Sequence, residues 1–519
     1  MRLFVFAIGG TGARVLTSMI MQFAAGVRPK DAGGKYIEEL SVVPIIVDPH
    51  ESNAGLLNVI SLLNDYRVIR ERIYGKNPKA EGFFSVKLET LSEISTQNNE
   101  VSTDQFFFSM PRVSDNQFKT YINLNDMDLE NRLLMKVLFS PEELDTYMRE
   151  GFYGSPNIGC VALNEFRRSS DFDAFRSAFN RDSGDRIFFV GSIFGGTGAA
   201  GLPLFVSAIR DLTHVDNLDA GRTDCSEAPI GALIVMPYFA IEADPTSSID
   251  ENQFIIKTKS ALRYYQDNLN KYLNVIYYIA DTDRTKAFEN DPGNKDNQKG
   301  NKAHIVENIG ATAILDFMAM SDDALSTRED NMGRCISVNT SFKQYSFENE
   351  VSDISFRAIP SSTNDMLMRP FMKFLLLESW MKHHLMDRLG APFARNYKPI
   401  IESSILTREL DSFFIKFNEW IEEQRGHGST AHNLAIFTEN PMAYTKEYTK
   451  VFNEILTKKG IVGRKSIDKS DIEKSLNDVA QKHDKLKTQH ERWFTIANEA
   501  LDKIIDDKLD ISNLVSDKR

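Results

Sequence analysis

The sequence predicts an α/β protein, in which a parallel sheet covered by helices is followed by a mainly helical C-terminal region. Three observations predict it. Short β-type apolar runs alternate with helical patterns up to about residue 320, two dense glycine turns each join such a run to a helical segment, and long segments of helical spacing take over from about residue 365. A chain of 519 residues exceeds what one hydrophobic core usually organises. The expected division is 1–320 for the sheet domain, 321–364 for a connecting region with short strands, and 365–519 for the helical region.

The candidate strands are 3–8, 42–47, 186–190, 230–236 and 275–279. They are apolar without strict alternation, as expected when helices cover both faces of a sheet, although the periodicity alone also fits buried helix turns. The stretch 281–302 is rich in Asn, Asp, Lys and Gly and reads as a surface loop ahead of a helix beginning near His304. A short β-region is expected around 334–347. In the last region, MLMRPFMKFLLLESWMKHHLMDRL and LDSFFIKFNEWIEEQ carry Phe, Met and Trp stripes that read as core or as packing against a partner helix. His383 and His384 are adjacent, share no helix face and lack a completing ligand set, so no metal is expected there.

Composition narrows the function classes. The chain is 42% hydrophobic and 26% charged, as in globular proteins, and its formal net charge of −12 opposes binding to nucleic acid or to an anionic membrane surface. Its three cysteines, Cys160, Cys225 and Cys335, form no CxxC pair, which fits a reducing compartment, so a cytoplasmic location is expected. MRLFVFAIGG reads as a first strand rather than a secretory signal. No apolar stretch approaches the roughly 20 residues that span a bilayer, so no membrane insertion is expected.

The chemistry sits in the glycine turns. RIFFV runs into GSIFGGTGAAGLP and then LFVSAIRDL, a strand, a Gly/Thr/Ala turn and a helix. Glycine allows close backbone approach and φ > 0, successive N–H groups can point inward, and the helix adds its positive N-terminal dipole, so the turn suits a phosphate group. It is no P-loop, because Leu202 and Pro203 follow where GK[ST] is required. The N-terminal FAIGGTGARVL resembles a Rossmann turn, yet Val15 stands where the third small residue belongs and Asp48 comes later than the usual acid. NAD is therefore the runner-up ligand.

Two such turns in one α/β domain resemble the tubulin/FtsZ superfamily. FGGTGAAGLP at 194–203 is similar to the family's GGGTGTGAAP loop: Gly195, Gly196, Thr197 and Gly198 match, and Phe194 replaces the first glycine. Gly9, Gly10, Thr11 and Gly12 resemble the first nucleotide loop. PIIVDPHESN resembles the family's acid-bearing segment and puts Asp48 near phosphates and Mg²⁺. GFYGSPNIG resembles GAGANPEVG, the third phosphate loop, which assigns Gly154, Ser155 and Asn157 to it. By the same resemblance Glu242 meets the ribose, Asp281 the guanine edge, and His304 with Asn308, four apart on one helix face, stack on and read the base.

The resemblance covers about 1–317 and implies a GTP/GDP-binding protein with Mg²⁺ that assembles head to tail into filaments and hydrolyses GTP through an acidic loop given to the neighbouring copy. That loop's spacing is missing after the His304 helix, where Asp322, Asp323, Glu329 and Asp330 supply the acids. The alternative is a nucleotide-gated adaptor that does not polymerise and binds a protein partner through its C-terminal helices. Fold alone does not choose between them.

Overall fold

A computed structural model describes residues 1–31, 33–50, 54–95, 106–108, 110–152, 154–211, 221–241, 251–280, 287–288, 303–347, 354–356, 363–384, 404–425, 459–460, 463–464, 467–483 and 489–509. In chain order the elements used below are β1 (Arg2–Ile8), α1 (Gly9–Ala24), β2 (Ser41–Val47), α2 (Ala54–Tyr74), β3 (Lys87–Leu88), α3 (Leu129–Leu138), α4 (Pro156–Ala162), β4 (Arg186–Ser192), α5 (Gly196–Arg210) and β5 (Ile230–Val235). They continue with α6 (Glu251–Asn268), β6 (Val275–Ile279), α7 (Ile305–Ala319), β7 (Ser341–Phe347), β8 (Ile354–Phe356), α8 (Thr363–His384), α9 (Ser404–Arg425), α10 (Lys469–Ala480) and α11 (Gln489–Lys508).

One sheet has the strand order β8-β7-β6-β5-β4-β1-β2-β3. Seven of its strands run parallel and β8 closes it antiparallel to β7. Both faces are covered, so β2 and β4 are buried along their whole length and β1 from Leu3 onward, which is why their sequences are largely apolar runs. Pro44 is tolerated inside β2 because its ring lies on the outer edge of that strand. Val42 and Ile46 bond outward on either side of it, to Glu89 N and to Phe106 O and Phe108 N.

The chain starts in the middle of the sheet, builds β2 and β3 to one side, then returns beside β1 and builds β4 to β7 to the other. The order therefore reverses between β1 and β4, and the crevice at the carboxyl ends of these two strands is a topological switch point. The register sets its floor. Ile8 is level with Val47 on one side and Gly191 on the other, so Gly9 and Asp48 leave the sheet level with Ser192, the last residue of β4, which still pairs with Val235.

The buried apolar residues on either side of 320 and 365 belong to one cluster. β7 and β8, from the connecting region, extend the first sheet. The C-terminal helices pack on α2 and α1. Phe84 meets Phe374 of α8 and Phe413 of α9, with ring centres 5.7 and 5.0 Å apart, and Trp420 of α9 donates its indole N–H to Ser18 Oγ of α1 at 3.3 Å. The aromatic stripes are thus core, continuous with the strands. No described helix is long and apolar enough to cross a membrane.

Candidate phosphate-binding crevice

The two glycine turns meet at the switch point. Gly9 opens α1 in the left-handed region, with φ +72°, and a Cβ placed on it would lie 3.4 Å from Thr197 Cβ, 3.5 Å from Gly198 N and 4.0 Å from Asp48 Oδ2. Gly9, Thr197, Gly198 and Asp48 are therefore neighbours, although the sequence spreads them over nearly two hundred positions. Helices α1 and α5 both start here, behind Ile8 and Gly195, with no side-chain cap and no acidic residue in the first turn. Asp128 caps α3, His304 caps α7 and Asp468 caps α10, whereas α4, in the third loop, also starts without a side-chain cap at Ser155. Two positive helix ends thus face one crevice with their first-turn N–H groups left to backbone or ligand.

The glycines divide by task. Gly12 lets α1 sit on the sheet, since a Cβ there would come within 2.7 Å of Ala7 C and 2.8 Å of Val190 O. Gly198 does the same for α5 over Ser192, at 2.6 Å from its O and 2.8 Å from its N, and a Cβ on Gly195 would lie 3.0 Å from Ser192 Oγ. Gly196 admits the third loop, because Gly154 N and Ser155 N both lie 3.3 Å from where its Cβ would be. Gly10 alone of this group is exposed, with nothing within 4 Å of a Cβ. Thr11 and Thr197 are buried beside it. Phe194, in place of the family glycine, is buried against the rings of Tyr238 and Phe239. Asn157 is exposed and turns away from the loop to donate to Glu143 Oε1 at 2.8 Å.

Asp48 is the acid of the crevice. The residue is only 8% exposed, Oδ1 accepts from His50 N at 2.9 Å, and burial pushes its pKa up to about 6 despite that hydrogen bond. Among the described residues no cationic side chain pairs with it. They also contain no group of three or more His, Cys, Asp or Glu placed to hold a metal ion. A Mg²⁺ ion there would have Asp48 as its one protein carboxylate, with phosphate and water supplying its other oxygens, as this ion commonly binds.

No family model matches the chain, and neither does any curated protein.

The residues expected around the base are arranged differently from those around the phosphates. Glu242 and Asp281 lie outside the described residues. His304 is buried, its Nδ1 accepts from Val306 N at 3.1 Å to cap α7, and its ring stands edge-on to Tyr238 at 5.0 Å. Asn308 has 0% exposure. Its Nδ2 donates to Gln424 Oε1 of α9 at 2.9 Å, and its Oδ1 and backbone O both accept from Gln22 Nε2 of α1 at 2.8 Å. The expected base-reading amide is a buried clasp between α1, α7 and α9, because every polar atom of its side chain is already bonded within the fold.

Two cationic side chains make contacts near these loops that no motif signals. Arg14 of α1 is paired with Glu307 of α7 at 2.7 Å and donates to Tyr238 Oη at 2.5 Å, while the Tyr238 hydroxyl donates to Glu307 Oε1 at 2.6 Å. Burial pulls the Arg14 guanidinium down, but Tyr238 and Glu307 together outweigh it and hold it above its ordinary value. The second is Lys257 of α6, whose ammonium donates to Gly154 O at 2.8 Å.

Proposed function

We propose that this chain binds a nucleoside polyphosphate with Mg²⁺ across the carboxyl ends of β1 and β4, with GTP/GDP as the nucleotide that its tubulin/FtsZ resemblance implies. The observation that carries the reading is the convergence of two uncapped helix N-termini on the buried carboxylate of Asp48. Phosphate oxygens satisfy the first-turn donors of both helices. A divalent ion offsets the repulsion between those oxygens and Asp48, so Mg²⁺ and nucleotide bind together.

NAD is the second reading, favoured by the place of Asp48 at the end of the second strand, where dinucleotide-binding folds keep their ribose acid. It needs no metal.

Assembly head to tail belongs to the first reading, and the occupant we assign to the exposed apolar surfaces is a second copy of the chain. Helix α3 turns Leu129, Leu133, Leu134, Val137 and Leu138 to solvent, Val137 with 82% exposure, and lies in a segment tied to the crevice end through Ser114 Oγ to Pro49 O and Asn157 to Glu143. Met332, Val338 and Phe342 are exposed at the opposite, amino end of the sheet, near Asp323 and Glu329. Apolar patches at opposite ends of one parallel sheet suit a heterologous contact that repeats, and would bring those acids to the neighbour's crevice.

One titration tests these points together. GTP, GDP, ATP and NAD are added with and without Mg²⁺ to the wild type and to Gly10→Val, whose Cβ meets nothing within 4 Å. Binding, light scattering and released phosphate are recorded. Mg²⁺-dependent GTP binding lost in Gly10→Val supports the reading, and scattering that Leu133→Glu abolishes supports assembly. Metal-independent NAD binding in place of GTP would overturn it.

A further inference from the structure

The polyphosphate reading leaves a charge unaccounted for. The crevice as built from its glycine turns contains one buried carboxylate and no lysine of the kind a P-loop supplies. Arg14, the nearest arginine in the first helix, is held by Glu307 and Tyr238. A polyphosphate bound only by N–H dipoles and one Mg²⁺ keeps excess negative charge in a buried place, which is costly without a cation.

Lys257 stands where that cation is needed. It projects from α6, which follows β5, and reaches back to the third loop, where its Nζ bonds Gly154 O at 2.8 Å. Gly154 adopts φ +69° and its own N–H lies 3.3 Å from the Cβ position of Gly196, the first residue of α5. The ammonium is thus joined through a single glycine to the start of the helix that faces the crevice. Its environment is unusual for a surface lysine. Burial pulls its pKa down, the field of Glu143 pushes it back up, and its hydrogen bond goes to a neutral carbonyl. A compact ammonium on a flexible stem can exchange such a carbonyl for a phosphate oxygen.

We propose that Lys257 reads the terminal phosphates: in the free protein it holds the Gly154 loop against α5, and with nucleotide bound it bonds the β- and γ-phosphate oxygens. The assignment rests on the polyphosphate reading and deepens it, because it makes the site select triphosphates and diphosphates over monophosphates. It also joins the loop to the ligand, so a shortened phosphate chain leaves Lys257 on Gly154.

Affinities for GTP, GDP and GMP are measured by calorimetry on the full chain at low and moderate salt, for the wild type, Lys257→Ala and Lys257→Gln. The glutamine keeps a donor for Gly154 O and removes the charge, so it separates reading phosphate from merely holding the loop. The expected result is that both variants weaken GTP and GDP by about tenfold to a hundredfold, leave GMP within about twofold, and flatten the salt dependence of GTP binding. Wild-type affinities in Lys257→Gln, or equal weakening of all three nucleotides, would overturn the assignment while the polyphosphate reading stands. No binding of any of the three by the wild type removes that reading, and this assignment with it.

Discussion

The crevice between β1 and β4 and the polar face of α7 were both expected to touch the nucleotide, and they are built on opposite plans. The crevice is poor in side chains: glycines, two threonines and one acid surround two helix ends that no side chain caps. The face of α7 is rich in them, and the side chains are engaged with other parts of the same chain, His304 with its own helix end, Glu307 with Arg14 and Tyr238, Asn308 with Gln22 and Gln424. A polar group satisfied within the fold gives up that bond if it turns to a ligand, whereas an uncapped helix end exchanges only water. On the proposed reading the crevice takes the ligand, while α7 joins the sheet, α1 and the C-terminal helices.

The largest effect that tests this division comes from Gly198. A valine there would drive its Cβ to within 2.8 Å of backbone atoms of Ser192, which cannot swing aside as a flexible side chain can. Gly198→Val should cost about 3 kcal/mol or more of stability, measured by thermal or urea unfolding. An unchanged midpoint would mean that Gly198 serves ligand and not packing.

Next in size is Asp48, where function and stability should oppose each other. Its folded pKa of about 6 lies above the ordinary aspartate value of 3.8, so the protonated form is favoured in the folded state. Stability from this group is full below about pH 4, falls as pH rises through 4 to 6, and is flat above that, a loss of up to roughly 3 kcal/mol. Asp48→Asn removes the fall. Without nucleotide it should unfold at higher temperature than the wild type at pH 7.5 and show no such advantage at pH 4, while losing the Mg²⁺ dependence of nucleotide binding. If the two proteins have parallel stability profiles from pH 4 to 7.5, Asp48 is not the strained acid of the crevice.

These residues also mark how far the sequence could be read. The parallel strands were legible because burial on both faces forces unbroken apolar runs, as in RLFVFAI and SVVPIIV. That β7 joins the same sheet was not, since SFKQYSF mixes polar and apolar residues and its partner is set only by the fold. The glycine turns were visible as motifs, yet the motif cannot say that Gly12 serves packing and Gly10 opens to solvent, because strand register decides that. Lys257 was missed for a related reason: its bond to Gly154 spans 103 positions and belongs to no short pattern. Amphipathic spacing in α8 and α9 announced an apolar face without saying what covers it, and the structure gives that role to α1, α2, α11 and the segment around Phe84.

The smallest expected effect probes the other half of the comparison. Asn308→Ala leaves Gln22 and Gln424 without their buried partner and should cost about 1–3 kcal/mol, less than Gly198→Val because a cavity can relax where a backbone clash cannot. If α7 is a clasp, the ratio of GTP to ATP affinity stays at its wild-type value even as the unfolding midpoint drops. A lowered ratio with an unchanged midpoint would return the amide of Asn308 to base recognition, and would mean that Gln22 and Gln424 release it when nucleotide binds. The clasp reading needs the opposite pattern, since an amide with every polar atom bonded inside the core contributes to rigidity and gives the base nothing to meet.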